Sequence, residues 1–419
     1  MKTLRLGAAN TVLSLACTCS VVSMTVPVSA APGIPVPEPT RTTRATAPHT
    51  DSCPQATWPP EPRTTSEAVA PDAAPVALPV HYRGPCGVVA PAGFTVSDSV
   101  LASAWVVADI DSGEIVAMKD PHGRYRPASI IKVLLALVAI RELPLDTTVP
   151  VGDESAQMEG SAVGIGPGGE YTVNDLLHGL LMASGNDAAH ALAQSLGGDE
   201  ATLRKVNALA AELGMEDTRV TTYTGLDSPG MSTSAWDMAL AYRAAFENET
   251  FADIVDTPSY PFPGFGDLPG FEVWNDNALY LNDPDGIGGK TGFTDDANHT
   301  FVGAVNHSGR RLAAVILDTT ADRARPWEQA QQLLHEAYKF EGAPVATLEV
   351  AAAHASATET AAATDAPAPD VEKPAVAAAG PDKGAFPWAS AGVVAGVLAL
   401  AGIAWWISRA STRRAGRHR

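Results

Sequence analysis

The sequence predicts an α/β sandwich in which an antiparallel sheet carries an inserted helical subdomain. Short apolar runs typical of strands lie near both ends of the central region, and the stretch between them has helical periodicity. The runs are residues 104–108, 115–118, 299–306 and 311–317. Short turns containing Gly113 and Gly309 join them in pairs. We therefore expect the N-terminal and C-terminal strands to pair in one sheet.

Helices are predicted between these two groups of strands and after the last one, because apolar residues recur there at helical spacing. The predicted helices are residues 129–141, 173–182, 187–196, 200–213, 234–246 and 327–340. The sequence contains no internal repeat. We therefore expect one folded domain over residues 86–341.

The two ends of the chain have features of export and membrane anchoring. Residues 1–30 are typical of a secretory signal, with Lys2 and Arg5 ahead of an apolar stretch and a small-x-small cleavage pattern. Residues 388–407 carry no charge and are long enough to span a bilayer, and the basic tail 408–419 follows. By the positive-inside rule, we expect a single-pass protein of the cell membrane with a cytoplasmic tail and an extracytoplasmic domain.

Two stretches are rich in Pro, Ala and Thr and poor in large aliphatic residues. Residues 31–85 predict an extended, largely disordered arm, and residues 342–387 predict a tether to the membrane.

Two cysteines, Cys53 and Cys86, lie outside the signal. A pair of cysteines in an exported protein favours a disulfide, with two free thiols as the alternative. The formal net charge of -19 argues against nucleic-acid binding, because the chain would repel phosphates.

The first candidate for chemistry is the pair Ser129 and Lys132. Aliphatic residues surround Lys132 on all sides of the predicted helix, so burial should lower its pKa. Ser129 lies one turn earlier on the same helix face. A neutral lysine amine beside a serine hydroxyl can take the serine proton as the oxygen attacks. This spacing also arises by chance on surface helices, but the apolar surroundings favour a nucleophile and its base.

Two further short motifs follow in the chain. Ser184 and Asn186 stand between two predicted helices, where they either stop and cap a helix or line a cleft. Lys290, Thr291 and Gly292 open the C-terminal strands. A lysine and a hydroxyl on a strand edge can hold a carboxylate, and a glycine there lets a ligand lie against the backbone.

In this order the motifs resemble the Ser-x-x-Lys, Ser-x-Asn and Lys-Thr-Gly signatures of the serine penicillin-binding and β-lactamase superfamily. Within it, the residues that flank each motif are most similar to the low-molecular-weight D-alanyl-D-alanine carboxypeptidases of the S11 peptidase family. The resemblance covers about residues 104–340. It implies a β-lactamase/penicillin-binding-protein-like sandwich with an antiparallel sheet and an inserted helical subdomain.

The resemblance also implies an acyl-transfer reaction. Ser129 would be acylated by the penultimate D-Ala carbonyl with release of the terminal D-Ala, and water would then hydrolyse the acyl-enzyme. Lys132 would be the general base, Ser184 would relay a proton to the leaving amine, Asn186 would orient Lys132, and Lys290 would polarise Ser184. The implied substrates are peptidoglycan stem peptides, and the implied covalent inhibitors are β-lactams. No metal and no cofactor are expected.

The remaining motif residues are implied to bind the substrate. The substrate-binding residues would be Asn186, Lys290, Thr291 and Gly292. Thr291 would hold the terminal carboxylate, and the backbone N–H groups of Ser129 and Phe293 would form the oxyanion hole. Arg323 and Arg325 are candidates for a further carboxylate anchor, or are surface residues ahead of a helix.

Two other functions are compatible with the same three motifs. One is a serine β-lactamase, which in class A needs a Glu-x-x-x-Asn segment between the second and third motifs. The glutamates in the later part of that interval lack an asparagine four positions on; they are Glu212, Glu216, Glu247 and Glu249. The other is a non-enzymatic penicillin-sensing surface domain, which would have no reason to keep a buried lysine.

Overall fold

The computed structural model describes residues 42–62, 75–342 and 344–348. In chain order, the strands of the described chain are β1 (Val88–Val89), β2 (Ala104–Asp109), β3 (Glu114–Lys119), β4 (Thr148–Pro150), β5 (Glu170–Thr172), β6 (Ser259–Phe262), β7 (Phe271–Trp274), β8 (Gly286–Thr294), β9 (Asn298–His307), β10 (Arg310–Thr319) and β11 (Ala346–Thr347). The helices are α1 (Lys132–Glu142), α2 (Asp153–Ala156), α3 (Val173–Met182), α4 (Asn186–Ser195), α5 (Asp199–Glu212), α6 (Ala235–Phe246), α7 (Glu249–Val255), α8 (Ala278–Asn282) and α9 (Pro326–Ala337). A short 3₁₀ helix at Ala128–Ile131 precedes α1.

Strands from both ends of the domain form one antiparallel sheet. Within the described residues its order is β1-β3-β2-β10-β9-β8, and β11 also pairs with β3. The N-terminal strand β2 pairs with the C-terminal strand β10, from Ala104 opposite Leu317 to Asp109 opposite Leu312. The predicted sheet, with its N-terminal and C-terminal strands paired, is therefore confirmed.

Both faces of this sheet are covered, which explains why β2 is apolar from residue 104 to residue 108. Val106 and Ala108 face a core that contains α1 and α6, whereas Trp105 and Val107 face a second core that contains α9. Alternate side chains of a strand point to opposite faces, so a strand covered on both sides needs apolar residues at successive positions. The result is a helix–sheet–helix sandwich.

The helical subdomain lies in the chain between β3 and β8, as predicted. Helix α3 has the predicted bounds, and its start is fixed by a capping box between Thr172 and Asp175. The helix that follows Ser129 begins later than predicted. The 3₁₀ helix extends to Ile131 and takes the place of the first predicted α-helical turn, so α1 starts at Lys132.

The arm is more ordered than predicted. Residues 42–62 form no helix or strand, but they are held against the domain. Arg44 makes two hydrogen bonds of 2.8 Å to the Asp318 carboxylate, and the buried Arg124 donates to the carbonyl of Thr57. A disulfide joins Cys53 and Cys86. The expectation of disorder is thus wrong for residues 42–62, because the hydrogen bonds of Arg44 and Arg124 and the disulfide hold this segment against the domain.

The folded region also continues beyond the predicted boundary at residue 341. β11 pairs with β3, and Leu348 is buried in the core. The predicted signal, membrane span and tail lie outside the described residues, as does most of the predicted tether. In the stretches that the structure does describe, no helix combines the length and apolar character needed to cross a membrane.

Candidate active site

The first motif forms a direct contact between Ser129 and Lys132. The Nζ atom of Lys132 lies 2.8 Å from Oγ of Ser129 and donates to the carbonyl of Thr224 at 2.7 Å. Lys132 is fully buried, whereas Ser129 is partly exposed. An amine with one N–H held by a carbonyl can turn its lone pair towards the hydroxyl. The pair therefore has the geometry of a nucleophile and its base.

The charge state of Lys132 depends mainly on its burial. Burial lowers the pKa of Lys132 well below its ordinary value, and the nearby charge of Lys290 lowers this pKa further. The carboxylates of Asp276 and Asp187 act in the opposite direction. A lysine with a lowered pKa is neutral over more of the physiological pH range, as a general base must be.

A strained turn presents the Ser129 hydroxyl. Ala128, directly before it, has a left-handed backbone, which costs about 1–2 kcal/mol for a residue with a side chain. Gly225 packs on this turn with φ 81°, and a Cβ atom there would lie 2.0 Å from the carbonyl oxygen of Ala128. Gly225 also follows Thr224, the residue whose carbonyl accepts from Lys132. The loop therefore positions both members of the pair.

Strand β8 supports the same turn from the sheet. A Cβ atom on Gly292 would lie 2.3 Å from Oγ1 of Thr300 and 3.1 Å from the backbone nitrogen of Ser129. Thr300 in turn donates to the carbonyl of Pro127 at 2.8 Å. Gly292 is thus needed for strand-to-turn packing, as well as for the ligand approach that the sequence predicts. Phe293, the predicted second oxyanion donor, follows it and has an exposed ring.

The second motif links α3 to α4. Ser184 is buried with a left-handed backbone (φ 59°), and Gly185 takes the N-cap position of α4 without a side-chain cap. Ser184 thus does not cap α4, but its left-handed backbone directly after Ala183, the C-cap of α3, fits the helix-stop interpretation, and the cleft interpretation stays a prediction. The Asn186 amide donates to the carbonyl of Glu159 at 2.6 Å. Neither of the Lys132 hydrogen bonds described above involves Asn186, so the role of Asn186 in orienting Lys132 stays a prediction.

The third motif lies on β8. Lys290 is fully buried and donates to the carbonyl of Thr291 at 3.1 Å, and burial lowers its pKa. Thr291 donates through Oγ1 to Asp276 at 2.8 Å. The same Asp276 carboxylate lies 3.8 Å from Nζ of Lys290. Sequence reasoning missed Asp276, because an aspartate in a short polar link between a strand and a helix matches no motif.

The hydrogen bonds described for the two candidate arginines go to residues outside these motifs, so a carboxylate-anchoring role stays a prediction. Arg323 and Arg325 are exposed near the start of α9. The Arg323 guanidinium donates to the carbonyl of Asp98, and the backbone of Arg325 donates to Glu328. Their surroundings fit the surface interpretation that the sequence left open.

The decisive comparison is with protein families. The model of the D-alanyl-D-alanine carboxypeptidase family, Peptidase S11, matches residues 92–321, which is more than half of the chain. The chain belongs to this family. It is a serine-type D-Ala-D-Ala carboxypeptidase, a hydrolase that acts on peptide bonds, as the three motifs implied.

Individual relatives agree with this assignment. The D-alanyl-D-alanine carboxypeptidase DacB2 of Mycobacterium tuberculosis is 45% identical over 249 residues, which cover 58% of this chain and 85% of DacB2. DacF of Bacillus subtilis, also named a D-alanyl-D-alanine carboxypeptidase, is 28% identical over 250 residues. That match covers 58% of this chain and 64% of DacF, so each protein has residues outside the matched region.

Solved structures of this family share the fold. A D-alanyl-D-alanine carboxypeptidase from Mycobacterium tuberculosis superposes with a TM-score of 0.59 at 42% identity, covering 62% of this chain and 99% of that one. A variant of the Streptomyces K15 DD-transpeptidase gives a TM-score of 0.54 at 25% identity, covering 57% and 98%. The predicted penicillin-binding-protein-like sandwich is thereby confirmed.

Proposed function

We propose that the protein removes the terminal D-alanine of peptidoglycan stem peptides through an acyl-enzyme on Ser129. The observation that carries this proposal is the 2.8 Å contact between Ser129 Oγ and the buried Nζ of Lys132. Because its pKa is lowered, Lys132 is neutral, and so able to accept a proton, at a lower pH than an ordinary lysine.

Acylation begins when Lys132 takes the proton of Ser129 and Oγ attacks the carbonyl carbon of the penultimate D-Ala. The backbone N–H groups of Ser129 and Phe293 stabilise the oxyanion that forms. Ser184, polarised by Lys290, delivers its proton to the amide nitrogen and takes the proton held by Lys132, which becomes neutral again. The carbon–nitrogen bond then breaks, and terminal D-Ala leaves as a free amine.

Deacylation follows the same chemistry with water as the nucleophile. Lys132 accepts a proton from water, water oxygen attacks the ester carbon, and the Oγ–carbon bond breaks. Ser129 regains its proton, and the shortened stem peptide leaves as a carboxylic acid. β-Lactams react with the same serine, because their strained amide carbonyl can take the place of the penultimate D-Ala carbonyl.

The substrate is held at its C-terminal carboxylate by Lys290 and Thr291. Both lie on β8 next to Gly292, whose missing side chain leaves the backbone of Ser129 within reach. A lysine charge and a hydroxyl donor suit a carboxylate. Asn186 binds the amide on the other side of the scissile bond.

We also propose that the enzyme is exported and anchored in the cell membrane. Supporting features are the predicted signal at 1–30, the uncharged span at 388–407, and the Cys53–Cys86 disulfide, which belongs to an oxidising compartment. Protease treatment of intact cells tests the topology. Digestion of the domain with survival of a C-terminal tag on the cytoplasmic side is expected, and protection of the domain would contradict it.

The activity is tested by D-alanine release from a Lys-D-Ala-D-Ala peptide, with the full chain in detergent and Ser129→Ala as the control. Release by the wild type alone is expected. Penicillin labelling of folded protein without any release would contradict the proposal and favour a penicillin-sensing domain. Rapid turnover of penicillin would instead favour a β-lactamase.

A further inference from the structure

The site proposed to bind the substrate carboxylate already contains a carboxylate of the protein itself. Oδ2 of Asp276 accepts a hydrogen bond of 2.8 Å from Thr291 and lies 3.8 Å from Nζ of Lys290. These are the two groups assigned above to the C-terminus of the substrate. Asp276 therefore makes the contacts that a substrate carboxylate would make.

The backbone on both sides of Asp276 is firmly anchored. Its own N–H donates to the carbonyl of Met182, at the end of α3, at 3.0 Å. Asn275 donates to the carbonyls of Val255 and Thr257, and Asn277 donates to the carbonyl of Val302. Both asparagines are buried, whereas the Asp276 side chain is 35% exposed. The segment is rigid, and its one exposed carboxylate can rotate between the site and solvent.

The Thr291 hydroxyl cannot donate to two carboxylates at once. A threonine hydroxyl has one hydrogen, and that of Thr291 is directed to Asp276. Lys290 donates to the carbonyl of Thr291 and lies 3.4 Å from its Oγ1. A second carboxylate would meet the negative charge of Asp276 at close range in a partly buried site, where repulsion is strong.

We propose that Asp276 is an internal carboxylate that occupies the substrate-carboxylate site in the free enzyme and must rotate out before an anionic C-terminus binds. Asp276 is thus a positioning residue for Lys290 and Thr291 and a competitor of the substrate. It holds the two donors in place while the site is empty, and it reduces affinity for ligands that carry a carboxylate. This inference rests on the proposed function, since Lys290 and Thr291 are taken as the carboxylate site.

The test compares Asp276→Asn with Glu272→Gln in the full chain. Glu272 lies on β7, shortly before Asp276 in the chain, and is exposed, so its variant removes the same charge outside the site. KM and kcat are measured for a D-Ala-D-Ala peptide with a free C-terminus and for its C-terminal amide. Asp276→Asn should lower KM for the free acid about fivefold or more, change KM for the amide less than twofold, and leave kcat within about threefold. Glu272→Gln should change neither KM.

An unchanged or higher KM of Asp276→Asn for the free acid would overturn the proposal, as would an equal fall for acid and amide. Asp276→Ala provides a second variant if the asparagine variant does not fold. Acylation by benzylpenicillin, which carries a carboxylate, gives a readout that does not need peptidase activity. Faster acylation of Asp276→Asn in a protein that releases no D-Ala would support the internal carboxylate while the proposed substrate fails. Equal or slower acylation in such a protein would overturn both.

Discussion

At the scale of single residues, the chemistry depends on one lysine that the fold keeps out of water. The pKa of Lys132 is lowered first by burial and then by the charge of Lys290. A neutral amine is the form that can accept the Ser129 proton. The cost of burying this side chain therefore contributes directly to its reactivity.

A pH profile of acylation tests this state of Lys132. Below its lowered pKa, Lys132 is protonated and cannot act as a base, so the second-order rate of penicillin acylation should fall as the pH decreases. Above that pKa the rate should reach a plateau well before pH 10, because the amine is already neutral. A rate that keeps rising up to the pKa of an ordinary lysine, about 10.4, would contradict a buried neutral base.

The same lowered pKa determines how the free energy of unfolding changes with pH. The unfolded chain binds a proton at Lys132 up to about pH 10.4, whereas the folded chain loses it at a lower pH. Between these two values the unfolded state holds more protons, so the contribution of Lys132 to the free energy of unfolding rises with pH. Below the folded pKa this contribution is constant and smallest.

At the scale of elements, the position of Ser129 is set by a turn packed between a loop and a strand. Gly225 approaches the carbonyl of Ala128 so closely that only glycine fits, and Gly292 approaches Ser129 from β8. These contacts fix the backbone nitrogen of Ser129, which the mechanism uses as an oxyanion donor. A shift of this turn should therefore affect the rate more than the binding of substrate.

The substitution Gly225→Ala tests this packing. Its Cβ would lie 2.0 Å from the Ala128 carbonyl oxygen, so the turn must move, and acylation by penicillin should fall about 100-fold or more. Gly309→Ala is the matched control, because Gly309 has a similar backbone (φ 90°) with open space around its Cβ. Equal acylation rates in the two variants would show that only backbone strain matters and would contradict this role for Gly225.

Sequence reasoning predicted the elements better than their junctions. The bounds of α3 follow from its apolar spacing and its cap, which are local signals. The start of α1 instead follows a 3₁₀ helix that begins at Ala128, a residue with a left-handed backbone that packs against Gly225, which is distant in sequence. Asp276 could not be predicted as a site residue for the same reason. Its contacts are with Lys290 and Thr291, which are near it only in the folded protein.

At the scale of the whole molecule, residues 42–62 of the arm are bound to the folded domain at several points. Arg44 binds Asp318 near the C-terminal end of β10, and Lys119 donates to the carbonyl of Pro48. Arg126, three residues before Ser129, donates to the carbonyl of Pro60. Composition alone could not predict this order, because each of these hydrogen bonds pairs a residue of the arm with a residue of the domain that is distant in sequence.

Replacing Cys53 and Cys86 together by alanine tests how much the covalent link between arm and domain stabilises the fold. The disulfide closes a loop between positions 33 apart in sequence, and its loss should reduce the free energy of unfolding by about 2–4 kcal/mol. Thermal unfolding measures the change. A reducing agent should lower the Tm of the wild type but leave that of the double variant unchanged. A Tm equal to that of the wild type would show that the arm is held by its hydrogen bonds alone.

The central claim is that Ser129 is the residue that becomes acylated. It is tested most directly by treating the full chain with benzylpenicillin, measuring the intact mass, and locating the adduct by tandem mass spectrometry of its peptides. We predict one adduct per chain, on Ser129, absent from Ser129→Ala and formed at least 1000-fold more slowly when Lys132 is replaced by methionine. An adduct on another residue, or none on a folded wild-type protein, would contradict the claim.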